Sequence, residues 1–381
     1  MKRKWAWLAV VLVFMLIAAA CGDDEGEDTT TTAASGDTTT TAAAADPLKV
    51  AFVYVGPVGD TGWTWAHDQG REYLEANYSG SLETTFLENV PEGSESQQVF
   101  ETLAAEGWDV IFGTSFGYMD PMLAAAEKYP DTVFEHNTGY KTSENMGNYF
   151  GAAEEGRYLT GMAAGLMTEA NELGYVAAFP IPEVLRGINA FALGVKEVNP
   201  DATVQVVWTS TWFDPALEKQ AAETLLDAGA DVIAMHQDSP APGEAAEARG
   251  AYWVGYNTDQ GRFAPDAWLT APIWNWGPYY LQVAEEVAAG TWESSAYYGD
   301  MEDGMVDIAD FGSSVPQDVI DIVEARKAEF LDGSFVIFKG PLNDQDGVER
   351  LADGEVADLG MILGGDFMNF FVDNVIGSPS G

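Results

Sequence analysis

Cationic side chains are scarce: 17 lysines and arginines stand against 61 aspartates and glutamates, a formal net charge of -44. A chain this acidic is repelled by nucleic acid and by anionic membrane surfaces, so neither is expected as a direct partner. Cysteine is nearly absent, and the single Cys21 has no mate for an internal disulfide. The three histidines, His67, His136 and His236, lie far apart in sequence, which gives little support to a zinc site. The chain also lacks a D-x-[DN]-x-[DN]-G loop for calcium and a Gly-x-Ser-x-Gly elbow for nucleophilic catalysis. No metal, no other cofactor and no catalytic residue is therefore expected.

Long apolar runs are missing except at the start, where "MKRKWAWLAVVLVFMLIAAACG" has a basic head (Lys2, Arg3, Lys4), a short apolar middle and small residues before Cys21. This reads as an export signal over 1–20. Ala18, Ala19, Ala20 and Cys21 resemble the lipobox of bacterial lipoproteins, although leucine is commoner where Ala18 stands. The resemblance implies lipidation of Cys21 and an anchor on the outer side of the cytoplasmic membrane, which two acyl chains suffice to hold. The next stretch, 21–46, is acidic, rich in threonine and free of bulky apolar residues, and is expected to be an unfolded tether.

From residue 48 the composition changes to that of a globular protein. The whole chain is 47% hydrophobic and 12% aromatic, enough for one large core or two medium ones. Short β-branched runs alternate with amphipathic segments. "LKVAFVYV", "LETTFLEN", "DVIFGTS" and "TVFEHNT" form a first set, each but the last followed by a helical pattern. The pattern restarts with "LGYVAAFP", "TVQVVWTS", "DVIAMHQ" and "AYWVGYN", and "AWLTAPIWNW", "GMVDIADF" and "FVIFKGP" are read as later strands. Two successive α/β sets predict two parallel sheets covered by helices.

Ligands of open parallel sheets sit beyond the carboxyl ends of the strands. Rings and short polar side chains gather there: Asp60, Trp63 and Trp65 after the first strand, then Ser115, Phe116, Tyr118 and Asp120. The second set supplies Phe179, Trp212, His236, Asp238 and Asn257, and the late strand Trp274 and Trp276. This composition suits a pocket that sandwiches a flat or ring-shaped ligand and fixes it by hydrogen bonds.

Five ordered motifs carry a family likeness: "VYVGPVGDTGWTWAHDQGR", "GTSFGYMDPMLAAAEKYPDTVFEH", "FPIPEVLRGINAFALGVKEVNP", "WFDPALEKQAAETLLDAGADVI" and "WVGYNTDQ". Over about 48–340 the chain resembles the basic membrane protein (PnrA-like) family of ABC-transporter substrate-binding lipoproteins, whose studied members bind purine nucleosides. The resemblance implies a type I periplasmic binding protein fold, with two lobes joined by three crossovers that close on the ligand. Lobe one would comprise 48–150 plus 267–302 and lobe two 151–266 plus 303–345, leaving 346–381 as a C-terminal extension. The family's first-lobe aromatic falls on Trp63, with Trp65 beside it, and its second-lobe aromatic on Trp212. Asp120 of the "FGYMD" motif would accept from a purine amine or ring N–H, while Asp60, Phe116, Tyr118 and Phe179 are expected at the ligand from their places at strand ends.

Two departures matter. Where relatives hold ribose with an acid this chain has Asn257, and where they have a lysine it has "APIWNWGPYY", with Trp276. Together with "HQDSPAP", "WNWGPYY" and "FPIPEVLRG", which resemble an adenine-binding branch, this implies a purine nucleobase, adenine first, with Asp238 as a second acceptor. A purine nucleoside is the next choice, and the expected partners are an ABC permease and the membrane reached through the lipid anchor. The protein is expected to be monomeric. A sugar-binding protein or a sensory receptor of the same fold, and less so a secreted nucleosidase, are the alternatives.

Overall fold

A computed structural model describes residues 46–381; residues 1–45, with the expected signal, Cys21 and nearly all of the tether, lie outside the described residues. The first set of elements is β1 (Leu48–Val53), α1 (Trp63–Asn77), β2 (Leu82–Leu87), α2 (Ser94–Ala105), β3 (Val110–Gly113), α3 (Met119–Lys128), β4 (Val133–Asn137) and β5 (Met146–Gly151). The second is α4 (Ala153–Met167), β6 (Glu172–Ala177), α5 (Pro182–Val198), β7 (Thr203–Trp208), α6 (Pro215–Asp227), β8 (Val232–His236), α7 (Ala241–Ala248), β9 (Tyr252–Val254) and β10 (Trp268–Thr270). There follow β11 (Pro272–Trp274), α8 (Gly277–Ala289), β12 (Ala296–Gly299), β13 (Val306–Ile308) and α9 (Gln317–Leu331). The chain ends with β14 (Leu342–Asn343), β15 (Glu349–Leu351), α10 (Leu359–Leu363) and β16 (Val375–Ile376).

Two six-stranded parallel sheets organise these elements, in the orders β12-β5-β4-β3-β1-β2 and β10-β9-β8-β6-β7-β16. In the first, alternate residues serve opposite faces: Val50, Phe52 and Phe112 join one apolar cluster, while Ala51, Val53 and Ile111 join another with Phe100, Tyr118 and Met122 of the α2–α3 side. Burial on both faces is why these strands read as unbroken apolar runs. The chain passes between sheets after β5, after β10 and after β12. The antiparallel pair β11–β13 lies at these crossings, with Pro272 opposite Ile308 and Trp274 opposite Val306.

Several details differ from the sequence expectations. β5, "MGNYFG", carries no β-branched residue and two glycines, so its strand signal is weak, yet it is buried throughout between β4 and β12. "AWLTAPIWNW" is broken into β10, which pairs with β9 in the second sheet, and β11 at the crossing. Residues 268–270 therefore belong with the second sheet, not with lobe one. "FVIFKGP" forms no strand and makes only an isolated bridge from Lys339 to Val356. The extension packs on the second lobe: β16 pairs with β7, Asn189 of α5 bonds both Phe370 O and Val372 N, and Asn374 donates to Ala192 O.

Candidate functional site

In each sheet the strand order reverses beside the first strand of its set, between β1 and β3 and between β6 and β8. The carboxyl ends at these switch points face one another across a slot with about 370 Å³ of empty space, part of it open to solvent. Val55 and Trp63 follow β1, Ser115 and Phe116 follow β3, and Thr138 follows β4. From the second lobe come Glu183 after β6, Trp212 after β7, His236 and Asp238 at the end of β8, and Tyr256 after β9. At Phe116, Thr138 and Glu183 the slot opens into a wider cleft with about 1750 Å³ of empty space, part of it open to solvent, beside Tyr297, Tyr298 and the segment around α10.

The aromatic crowding of "WTSTWFDP" has a local explanation. Asp214 caps α6, accepting from the N–H groups of Ala216 and Leu217, and Pro215 opens that helix. The cap fixes the turn that leaves Trp212 half-buried on the slot, with its ring 5.0 Å from Phe179 in an edge contact. On the facing lobe Trp63 stands in the first turn of α1, and its Nε1 donates to Thr114 O at 2.7 Å. Trp274 and Trp276 meet Trp63 edge-on from behind and stack on each other at 4.6 Å.

Asp60 is buried under the start of α1, where it accepts from the N–H groups of Gly62, Thr64 and Trp65. Burial pushes its carboxyl up to about 6, against the pull of those three donors. Asp238 is pushed well above the usual carboxylate range, first by burial and then by the charges of Asp60 and Glu218. Its Oδ1 accepts from Asn257 Nδ2 at 3.0 Å. His236 is driven down to about 4, chiefly by burial and further by Arg157 and Arg186, while Glu183 opposes the shift. The Glu183 carboxylate lies 3.6 Å from His236 Nε2, and the guanidinium of buried Arg157 stacks 3.5 Å over the Tyr256 ring.

The lobes touch beside the slot. Thr258 and Gln260 of the second lobe donate to Thr61 O, at 2.5 and 3.1 Å, and Gly62 lies directly against the Asp238 backbone.

Of the residues expected from sequence, Trp63, Phe116, Trp212 and Asp238 line the slot. Asp60 serves the α1 turn behind it, and Trp65 and Phe179 do not line it. Tyr118 is core: it is fully buried, donates to Val90 O and packs edge-on against Phe100. Asp120 does not line the slot: a 3-10 turn over Phe116–Tyr118 precedes α3, and Asp120 emerges on the surface, paired with Lys141 at 2.5 Å. Asn257 is committed to Asp238 and to Trp274 Nε1, which donates to its Oδ1 at 2.9 Å; Trp276 is buried against His67. Ser115 and His236 stand at strand ends in the sequence, but Thr138, Glu183 and Tyr256 carry no local signal beyond lying downstream of a strand.

The slot holds an acidic pair and a neutral histidine, yet among the described residues no group of three or more His, Cys, Asp or Glu could hold a metal. Comparison with known proteins agrees with a binding role. The family model described as ABC transporter substrate-binding protein PnrA-like matches residues 48–336. A purine-binding protein of Brucella abortus is 45% identical over 330 residues, 87% of this chain and 93% of that protein. A putative ABC transporter glucose-binding protein of Haloferax volcanii is 48% identical over 295 residues, 77% of this chain and 75% of that protein. Among solved structures, an ABC transporter solute-binding protein of Aeropyrum pernix superposes with a TM-score of 0.67 at 16% identity, covering 86% of this chain and all of that one (100%). One from Conexibacter woesei gives 0.63 at 22% identity, covering 76% and 97%. At that identity the two structures speak for the fold, that of type I periplasmic solute-binding proteins. The chain is a solute-binding protein and not an enzyme, and it belongs to the PnrA-like family of ABC transporter substrate-binding proteins.

Proposed function

We propose that the protein captures a purine nucleobase, adenine before other purines, and delivers it to an ABC permease. The observation that carries this reading is that Trp63 and Trp212, one from each lobe, line the same narrow slot together with the carboxyls of Asp238 and Glu183. Rings on both walls suit a planar heteroaromatic ligand, and each stacked ring contributes roughly 1–3 kcal/mol in nucleic-acid binders. The committed Asn257 and the packed Trp274–Trp276 pair support a ligand without ribose, since both occupy the side where the family's sugar contacts fall. The purine-binding relative from Brucella supports a purine.

Export and lipid anchoring through Cys21 complete the proposal, with a monomer acting outside the cytoplasmic membrane. Cys21→Ser should release the mature protein from the membrane fraction; continued retention would remove the anchor. A second reading has its own support, because the Haloferax relative is a putative glucose-binding protein at similar identity. Calorimetry and thermal shift with adenine, hypoxanthine, guanine, adenosine and glucose separate the two. Ligand at 100 times its Kd stabilises the protein by about 2.7 kcal/mol. Adenine is expected to give that shift without turnover, and Trp212→Ala to reduce its affinity by about ten- to a hundredfold. A response to glucose alone would replace the purine with a sugar, and a stronger response to adenosine would restore the nucleoside.

A further inference from the structure

Two carboxyls line the slot, and their surroundings are opposite in sign. Glu183 sits in the first turn of α5, where the helix dipole favours negative charge. His236 Nε2 faces it at 3.6 Å, Arg186 follows on the same helix, and Arg157 lies behind His236 and Tyr256. The Arg157 guanidinium is fully buried, and its one protein hydrogen bond runs from Nη1 to Met235 O at 2.6 Å; its charge is balanced by no ion pair among the described residues.

Asp238 has no such company. Its charged neighbours are Asp60, from the turn before α1 in the facing lobe, and Glu218 of α6. Glu218 is itself buried and accepts from the N–H of Asp214 and of Ser239. The hydrogen-bond donor to the Asp238 carboxyl is the Asn257 amide, which is neutral. Three carboxyls thus crowd a site from which cations are absent, while Glu183 faces a neutral His236 with two buried arginines near it, Arg157 without an ion pair and Arg186 paired with Glu154 at 3.1 Å.

We propose that the two carboxyls divide the recognition of the ligand: Glu183 is the charged acceptor for a ligand N–H, and Asp238 is held as the neutral acid, donating its O–H to a ligand acceptor. This rests on the purine reading, and it sharpens the ligand to a heteroaromatic edge that offers a donor and an acceptor. Adenine carries such edges at its amino group with a neighbouring ring nitrogen, and at its imidazole N–H with the adjacent pyrimidine nitrogen. The upward displacement of the Asp238 carboxyl by burial and by Asp60 and Glu218 agrees with the assignment. Its role here differs from that of the second acceptor, which the family resemblance implies.

The test is calorimetry of adenine binding to the purified wild-type protein and to Glu183→Gln and Asp238→Asn, each first checked for folding by circular dichroism. Asparagine reproduces a neutral acid, with one donor for the ligand and a carbonyl to accept from Asn257. Asp238→Asn should therefore lose several times less affinity than Glu183→Gln, which loses a charge-assisted bond and should weaken binding by about ten- to a hundredfold. Titrations near neutral pH in buffers of different ionisation enthalpy add a readout that mere packing would not move. Closure around Asp238 should take up protons in wild type, and the uptake should vanish in Asp238→Asn. The division is overturned if Asp238→Asn loses as much affinity as Glu183→Gln, if Glu183→Gln binds as wild type does, or if binding takes up no proton. A wild-type protein silent to every purine would instead overturn the purine reading itself, and the division with it.

Discussion

Gly62→Ala should act on closure of the lobes and leave each lobe intact. A Cβ built on Gly62 would lie 2.3 Å from Asp238 O, 2.7 Å from its Cα and 2.8 Å from its carbonyl carbon. All three atoms are backbone, so no side-chain rotation relieves the overlap, and contacts shorter than 3.0 Å are essentially never tolerated. The lobes must part there by more than half an ångström, which also strains the bonds from Thr258 and Gln260 to Thr61 O. Overpacking of this kind costs about 1–3 kcal/mol. Because the ligand is held by the closed form, the whole of that cost falls on affinity, a loss of about five- to 150-fold in Kd. Opening relieves the clash, so the melting temperature of the free protein should change little. Gly59→Ala, in the same loop, meets nothing within 4 Å and is the control. Calorimetry gives the affinities, and small-angle scattering with ligand should show Gly62→Ala more extended than wild type. A Gly62→Ala protein that binds within twofold of wild type would refute the argument that the two lobes close through this contact.

Asp120→Ala should leave adenine affinity within about twofold and stability within about 1 kcal/mol, because an exposed pair such as Asp120–Lys141 contributes little; a tenfold loss of affinity would return Asp120 to the site. The stability contributed by three buried glutamates should fall as pH rises, opposite in sign to that of the buried histidines His136 and His236, which is gained between about pH 4 and 6.5. Burial pushes Glu135 and Glu218 up to about 7 and Glu155 to about 8, from an ordinary 4.5. With folded values above unfolded ones, the folded protein binds the extra protons between pH 4.5 and 8, so the stability these groups retain at low pH is lost across that window. The loss is on the order of 3 kcal/mol per group. Urea unfolding at pH 5 and pH 8 checks the sign, and Glu135→Gln, at a site where Tyr279 and Trp292 donate, should flatten the slope. A slope left unchanged by Glu135→Gln would contradict it.

The sequence by itself determined the two-set α/β architecture, because a strand buried on both faces must be written as a continuous apolar run and its covering helix as an amphipathic one. Runs such as "LKVAFVYV" and "DVIAMHQ" carry that signal, and the strand ends they mark are where the slot lies. β5 escaped because tertiary burial, not β-propensity, holds "MGNYFG" in the sheet. What only the tertiary structure decided is the direction and company of each side chain. One 3-10 turn sends Asp120 to the surface, while Glu183 and Tyr256, unremarkable in sequence, arrive beside His236 from separate strand ends. Charge is decided in the same way. Asp238 and Glu183 are both acids in the sequence, but the company of each comes from other elements: Asp60 and Glu218 raise the Asp238 carboxyl, while Glu183 meets His236 at 3.6 Å.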